Sequence, residues 1–138
     1  MLLGVTGVVI GLVLLVGLAI LSSRGTVKLQ GDPVFDAGRV DSQAPAIRRD
    51  GPIPFADVAG GTRDIFLQHL GNDEERGWLA FDARAAGAPR ECVVRWVADE
   101  EVFVDPCSSE RYPPDGEGLR RYPVTVDDGR LRVDLRGD

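Results

Sequence analysis

The residues of this chain that could do chemistry are few: two cysteines, one histidine and some short runs of carboxylates. His69 has no second histidine to join it in a metal site or a triad, so a surface or strand-end position is expected. Cys92 and Cys107 would need a helix N-terminus or a basic cluster to act as reactive thiolates, and neither is evident. If the two pair, they close a loop of about 15 residues, worth on the order of 3 kcal/mol in the chain-entropy picture. Asp73-Glu74-Glu75, Asp99-Glu100-Glu101 and Asp127-Asp128 each fall in a predicted turn, where charge keeps a loop solvated. The middle run lacks the alternating oxygens and central glycine of a calcium loop. Ala59-Gly60-Gly61 lacks the lysine and helix that follow a phosphate loop, and reads as a turn. Trp78 and Trp96 sit on predicted strands, where packing is their ordinary use. No catalytic or metal-binding constellation emerges, so neither an enzyme nor a bound cofactor is expected. A net charge of −6 disfavours nucleic acid as a partner, because phosphates require clustered lysine and arginine.

The elements that would position these residues are short strands. Ile65 to His69, Trp78 to Asp82, Cys92 to Trp96 and Val102 to Val104 are separated by turn-rich pieces such as Gly71-Asn72-Asp73. The strongest local signal is at the end of the chain. Tyr122, Val124 and Val126 alternate with Pro123 and Thr125, Asp127-Asp128-Gly129 turns, and Leu131, Val133 and Leu135 alternate with Arg130, Arg132 and Asp134. An Asp-Gly turn between alternating runs predicts a hairpin with its apolar set on a core. No helical stripe of useful length stands out beyond residue 23. The reading is an all-β, small antiparallel β-sandwich over residues 54–138, with a thin core that a cross-link would support.

Two segments precede it. Met1 to Ser23 carries no charged side chain, and Met1 to Leu21 is long enough to cross a bilayer as one transmembrane helix. A cleaved signal peptide fits less well, since no basic residue precedes the apolar run and Leu21-Ser22-Ser23 is a poor cleavage site. Gly4, Gly7 and Gly11 fall near one helical face, where small residues let a second helix approach. Residues 24–53, broken by Pro33, Pro45 and Pro52, read as an extended tether. Arg24 and Lys28 just after the apolar run favour a cytoplasmic C-terminal domain. A disulfide would favour the opposite side.

The stretch Cys92-Val93-Val94-Arg95-Trp96, followed by FVDPCSSERY from Phe103 to Tyr112, resembles a Rieske iron–sulfur domain of the quinol–cytochrome c reductase type. Such domains carry C-x-H-x-x-C, a strand, and then C-x-C-H-G-S-x-(F/Y). A closing hairpin similar to RYPVTVDDGRLRVDL, Arg121 to Leu135, follows them. The resemblance spans most of Pro54 to Leu135 and is sharpest from Glu91 to Tyr112. It implies that Cys92 and Cys107 are the disulfide pair of these domains rather than cluster ligands. It also implies that the four ligand positions are occupied by Gly87, Pro89, Asp105 and Ser108, none of which is a cysteine or histidine. The glycine- and proline-rich lid of the family is shortened here to Asp115-Gly116-Glu117-Gly118-Leu119-Arg120.

The resemblance therefore implies a degenerate Rieske-like domain without its cluster. The expected function is a single-pass, non-catalytic accessory subunit, extracytoplasmic like its relatives and associated with other subunits of a respiratory or other membrane complex. An electron carrier with unusual ligation and a stand-alone envelope binding module remain alternatives.

Overall fold

The run Ile65-Phe66-Leu67 does not alternate with polar residues, and a strand with this pattern must be covered on both faces. A computed structural model, which describes residues 33–136, places it accordingly. Strand β3 (Arg63–His69) pairs antiparallel with β2 (Ile53–Asp57) and β4 (Trp78–Asp82), and β4 pairs with β8 (Arg121–Tyr122). Every residue of β3 from Ile65 to His69 is buried. This sheet is the middle layer of three. On one face, Ile65, Leu67, Ala80 and Tyr122 share a core with Leu131 and Val133. Those two lie on a sheet ordered β1 (Val34–Arg39), β10 (Arg130–Asp134), β9 (Val124–Asp127). On the other face, Phe66 and Phe81 pack with Phe103 and Tyr112. These belong to the small sheet of β5 (Arg95–Val97), β6 (Val102–Val104) and β7 (Arg111–Tyr112). The fold is mostly β, as expected, with one more layer than a two-sheet sandwich.

The terminal hairpin forms with the anticipated apolar face from Val124 onward, while Tyr122, expected in its first arm, pairs with Ala80 of β4 instead. Leu131 faces Val126 and Val133 faces Val124, so the apolar residues meet on one side. Asp128 (φ 48°) and Gly129 (φ 71°) supply the two positive dihedrals of a type I′ turn. Leu131 and Val133 are fully buried.

The chain before Pro54 departs from the expected tether. Val34 to Arg39 is an ordered strand pairing with β10, and its Ala37 is buried. Val40–Asp50 then forms an 11-residue helix, α1, which the all-β reading did not include. The compact fold thus begins at Val34 rather than Pro54. The helix was hidden because Pro45 interrupts it and Arg39 offers no side-chain cap. Packing compensates for that weak propensity, since Val40, Ala44 and Ile47 all face the core. The Val40 N–H also donates to the Gly129 carbonyl at 3.0 Å, joining helix and hairpin. At its C-terminus the Gly51 N–H donates to Ile47, and a Cβ there would lie 2.6 Å from Trp96 Nε1. The proposed anchor, with Gly4, Gly7 and Gly11, and residues 24–32 of the tether lie outside the described residues. Among the described residues no helix is long and apolar enough to cross a membrane.

One strand is displaced. The run expected from Cys92 to Trp96 enters its sheet only at Arg95. Cys92 is held by a disulfide, and the Val94 N–H donates to the Ala83 carbonyl at 2.8 Å, so the approach is extended but outside the ladder.

Candidate functional site

Two loops meet beyond the aromatic core. The first leaves β4 and turns at Ala85 to Ala88, where the Ala88 N–H donates to the Ala85 carbonyl at 3.0 Å. A second turn follows, with the Cys92 N–H donating to Pro89. The other loop joins β6 to β7 from Asp105 to Glu110, and the Asp105 N–H donates to the Glu110 carbonyl at 2.9 Å. A disulfide between Cys92 and Cys107 fastens loop to loop, with Cα atoms 5.7 Å apart. Cys92 is buried and Cys107 is exposed.

The residues singled out in these loops take distinct environments. Asp105 is buried, and its Oδ1 accepts the N–H of Cys107 at 2.7 Å and of Ser108 at 3.3 Å. A carboxylate accepting amides two and three residues ahead is the Asx-turn arrangement, so a side chain holds this loop's shape. The Asp-Pro-Cys-Ser-Ser run was the available signal for that role. Ser108 turns its Oγ to the Glu110 N–H at 3.2 Å. Pro89 has no side-chain donor atom, and its carbonyl is taken by Cys92. Gly87 has a φ of 74°, and a Cβ there would meet nothing within 4 Å. The loop it belongs to borders a cavity of about 380 Å³ lined also by Asp82, Arg84 and Arg120.

The remaining predicted residues lie elsewhere. His69 ends β3, but it is only 8% exposed rather than a surface residue. Its Nε2 lies 2.8 Å from the carbonyls of both Asp73 and Arg76, and since carbonyls only accept, that nitrogen carries the proton. Its ring stacks on Trp78 at 4.4 Å. The first two carboxylate runs lie in loops, Asp127 of the third ends β9 before Asp128 turns the hairpin, and Glu100 of the middle run pairs with Arg111. Tyr112, under the second loop, was not singled out from the sequence. Its hydroxyl donates to Glu110 at 2.9 Å, and burial, with that carboxylate beside it, pushes its pKa up to about 12. The short segment after Tyr112 folds back in successive turns and inserts Leu119 into the aromatic core.

No protein-family model matches the chain, and no curated protein matches it in sequence. In three dimensions it is similar to the crystal structure of the cyanobacterial plasma membrane Rieske protein PetC3 from Synechocystis PCC 6803. The TM-score is 0.53 with 16% sequence identity, over 72% of this chain and 97% of that one. The likeness establishes a Rieske-like fold.

Proposed function

We propose that this chain is a non-catalytic, membrane-anchored accessory subunit whose Rieske-like domain serves as a docking module without an iron–sulfur cluster. The observation that carries this reading is the occupancy of the ligand positions. A Rieske cluster is held by two thiolates and two imidazoles. Gly87 and Pro89 offer no ligand atom, and Ser108 directs its hydroxyl to the backbone. Asp105 spends one carboxylate oxygen on its own loop's amides. Both cysteines are joined to each other, and the single histidine stands on β3 with its Nε2 proton committed. The donor set does not fit the cluster, and the disulfide with the Asp105 turn replaces the metal's role of holding the loops together.

The membrane assignment rests on the apolar run from Met1 to Leu21, and the plasma membrane setting of PetC3 agrees with it. The disulfide favours the extracytoplasmic side, where such bonds persist. The partner on this reading is another subunit of a respiratory or other membrane complex. Iron and acid-labile sulfide content, with a visible spectrum, test the reading on the full chain purified anaerobically in mild detergent. Absence of both is expected, together with copurifying membrane proteins. A stoichiometric two-iron signal would make the chain an electron carrier instead.

A further inference from the structure

We propose that Cys92, Cys107 and Asp105 form a redox-gated site for a thiophilic divalent cation of the zinc class, closed by the disulfide and opened by its reduction. The two sulfurs and a carboxylate oxygen of Asp105 all lie within 4.8 Å of one another. In a tetrahedral zinc site with Zn–S of about 2.3 Å and Zn–O of about 2.1 Å, ligand atoms stand roughly 3.5 Å apart. The S–S bond must open and its sulfurs move apart toward that spacing, while the carboxylate oxygen already lies within 4.8 Å of both.

Three features suit these residues to the task. Asp105 is 3% exposed, so its carboxylate is fixed in position before any ion arrives. Oδ1 is committed to the amides of Cys107 and Ser108, while Oδ2 has no hydrogen-bond partner among the described residues. Cys107 is exposed, which gives both a reductant and an ion a way in and leaves the fourth position to water. Each loop also has a backbone hydrogen bond of its own. The bonds of Asp105 N–H to Glu110 and of Cys92 N–H to Pro89 involve neither sulfur. Two thiolates and a carboxylate supply the anionic set that a zinc-class ion requires, and metal affinity depends on those thiols losing their protons.

The chemistry balances with a dithiol as reductant. A thiolate of the dithiol attacks the exposed Cys107 sulfur, the S–S bond breaks, and Cys92 leaves as a thiolate. The reductant's second thiol then attacks the mixed disulfide, releasing Cys107 and closing the reductant to its own disulfide. Two electrons pass to the protein, and the two protons follow to its thiols. Zinc binding then displaces those two protons.

The site is independent of whether the domain docks on a membrane complex. It is tested with zinc alone on the full chain in mild detergent, oxidised and dithiol-reduced, by competition against a chromogenic chelator. One zinc per reduced chain is expected and none on the oxidised chain, with cobalt giving a thiolate-to-metal charge-transfer band. Asp105→Asn keeps an oxygen for the loop amides and is expected to weaken binding about tenfold or more, a scale reached even by outer partners of metal ligands. Its two thiols should still titrate, and circular dichroism should match that of the unaltered chain. The proposal is overturned if the reduced chain takes no zinc, if oxidised and reduced chains bind alike, or if Asp105→Asn binds as tightly. Loss of the β spectrum on reduction would overturn it too.

Discussion

The two cores of this domain are built on opposite faces of the same sheet and by different means. The one between the middle sheet and β10 is aliphatic, with Ile65, Leu67, Leu131 and Val133 at its centre. It is framed by strands of four to seven residues with matched partners. The other is aromatic and compact. Phe103 is fully buried with Phe66, Phe81 and Trp96 around it at ring distances of 5.0, 5.2 and 4.9 Å. Its own strands have only two or three residues, too few to hold themselves. The loop end therefore relies on one aromatic anchor, a disulfide and a capping carboxylate, where the hairpin end relies on repeated small increments of burial.

That contrast predicts a concentrated response at the loop end and a distributed one at the hairpin end. Phe103→Ala should lower unfolding free energy by about 4 kcal/mol, and Leu131→Ala by about 3 kcal/mol, in urea titrations. A larger loss at Leu131 would reverse the comparison. Cys92→Ser, or reduction, should cost on the order of 3 kcal/mol for a bridge spanning 15 residues. Melting that is unchanged by reductant would remove the disulfide from the account. Asp105→Ala strips the acceptor from two loop amides and should cost about 1 kcal/mol, read by urea titration, with Leu131 amide exchange unaffected.

The smallest effects are those of pH, and they separate the two ends. The Gly38 N–H and the Arg130 guanidinium hold the Asp36 carboxyl below the usual range. Its contribution to pinning β1 on β10 is complete above the unfolded-state value and is lost as pH falls through the folded one. Tyr112 behaves oppositely. With its pKa raised from 10.0 to about 12, its contribution is complete below the lower value and lost as pH rises toward the upper. Asp36→Asn should blunt the acid-side loss and Tyr112→Phe the alkaline-side loss in urea midpoints measured across pH. Identical pH profiles for the two variants would erase the distinction.

Much of this is legible in sequence where the cause is local. Alternation in Leu131-Arg132-Val133-Asp134 and the Asp128-Gly129 pair specify the hairpin and its inward face, because strand period and turn dihedrals are short-range properties. Trp78 to Asp82 and Val102 to Val104 have the bounds read from composition. The similarity of Glu91 to Tyr112 to a Rieske pattern anticipated the bridge between Cys92 and Cys107. Helix α1 was not legible, since Pro45 and a capless start argue against a helix that exists because Val40, Ala44 and Ile47 have a core to enter. His69 illustrates the same limit. Its burial comes from a loop folding back so that Asp73 and Arg76 present their carbonyls, which no spacing around residue 69 encodes. The sequence by itself thus determined β3, β4, β6 and the closing hairpin with its turn. Tertiary structure alone decided that β1 and α1 join the fold, that the middle sheet is covered twice, and that Asp105 lies beside both sulfurs. Those outcomes depend on contacts between distant segments, whose closure entropy is offset only when the whole core assembles.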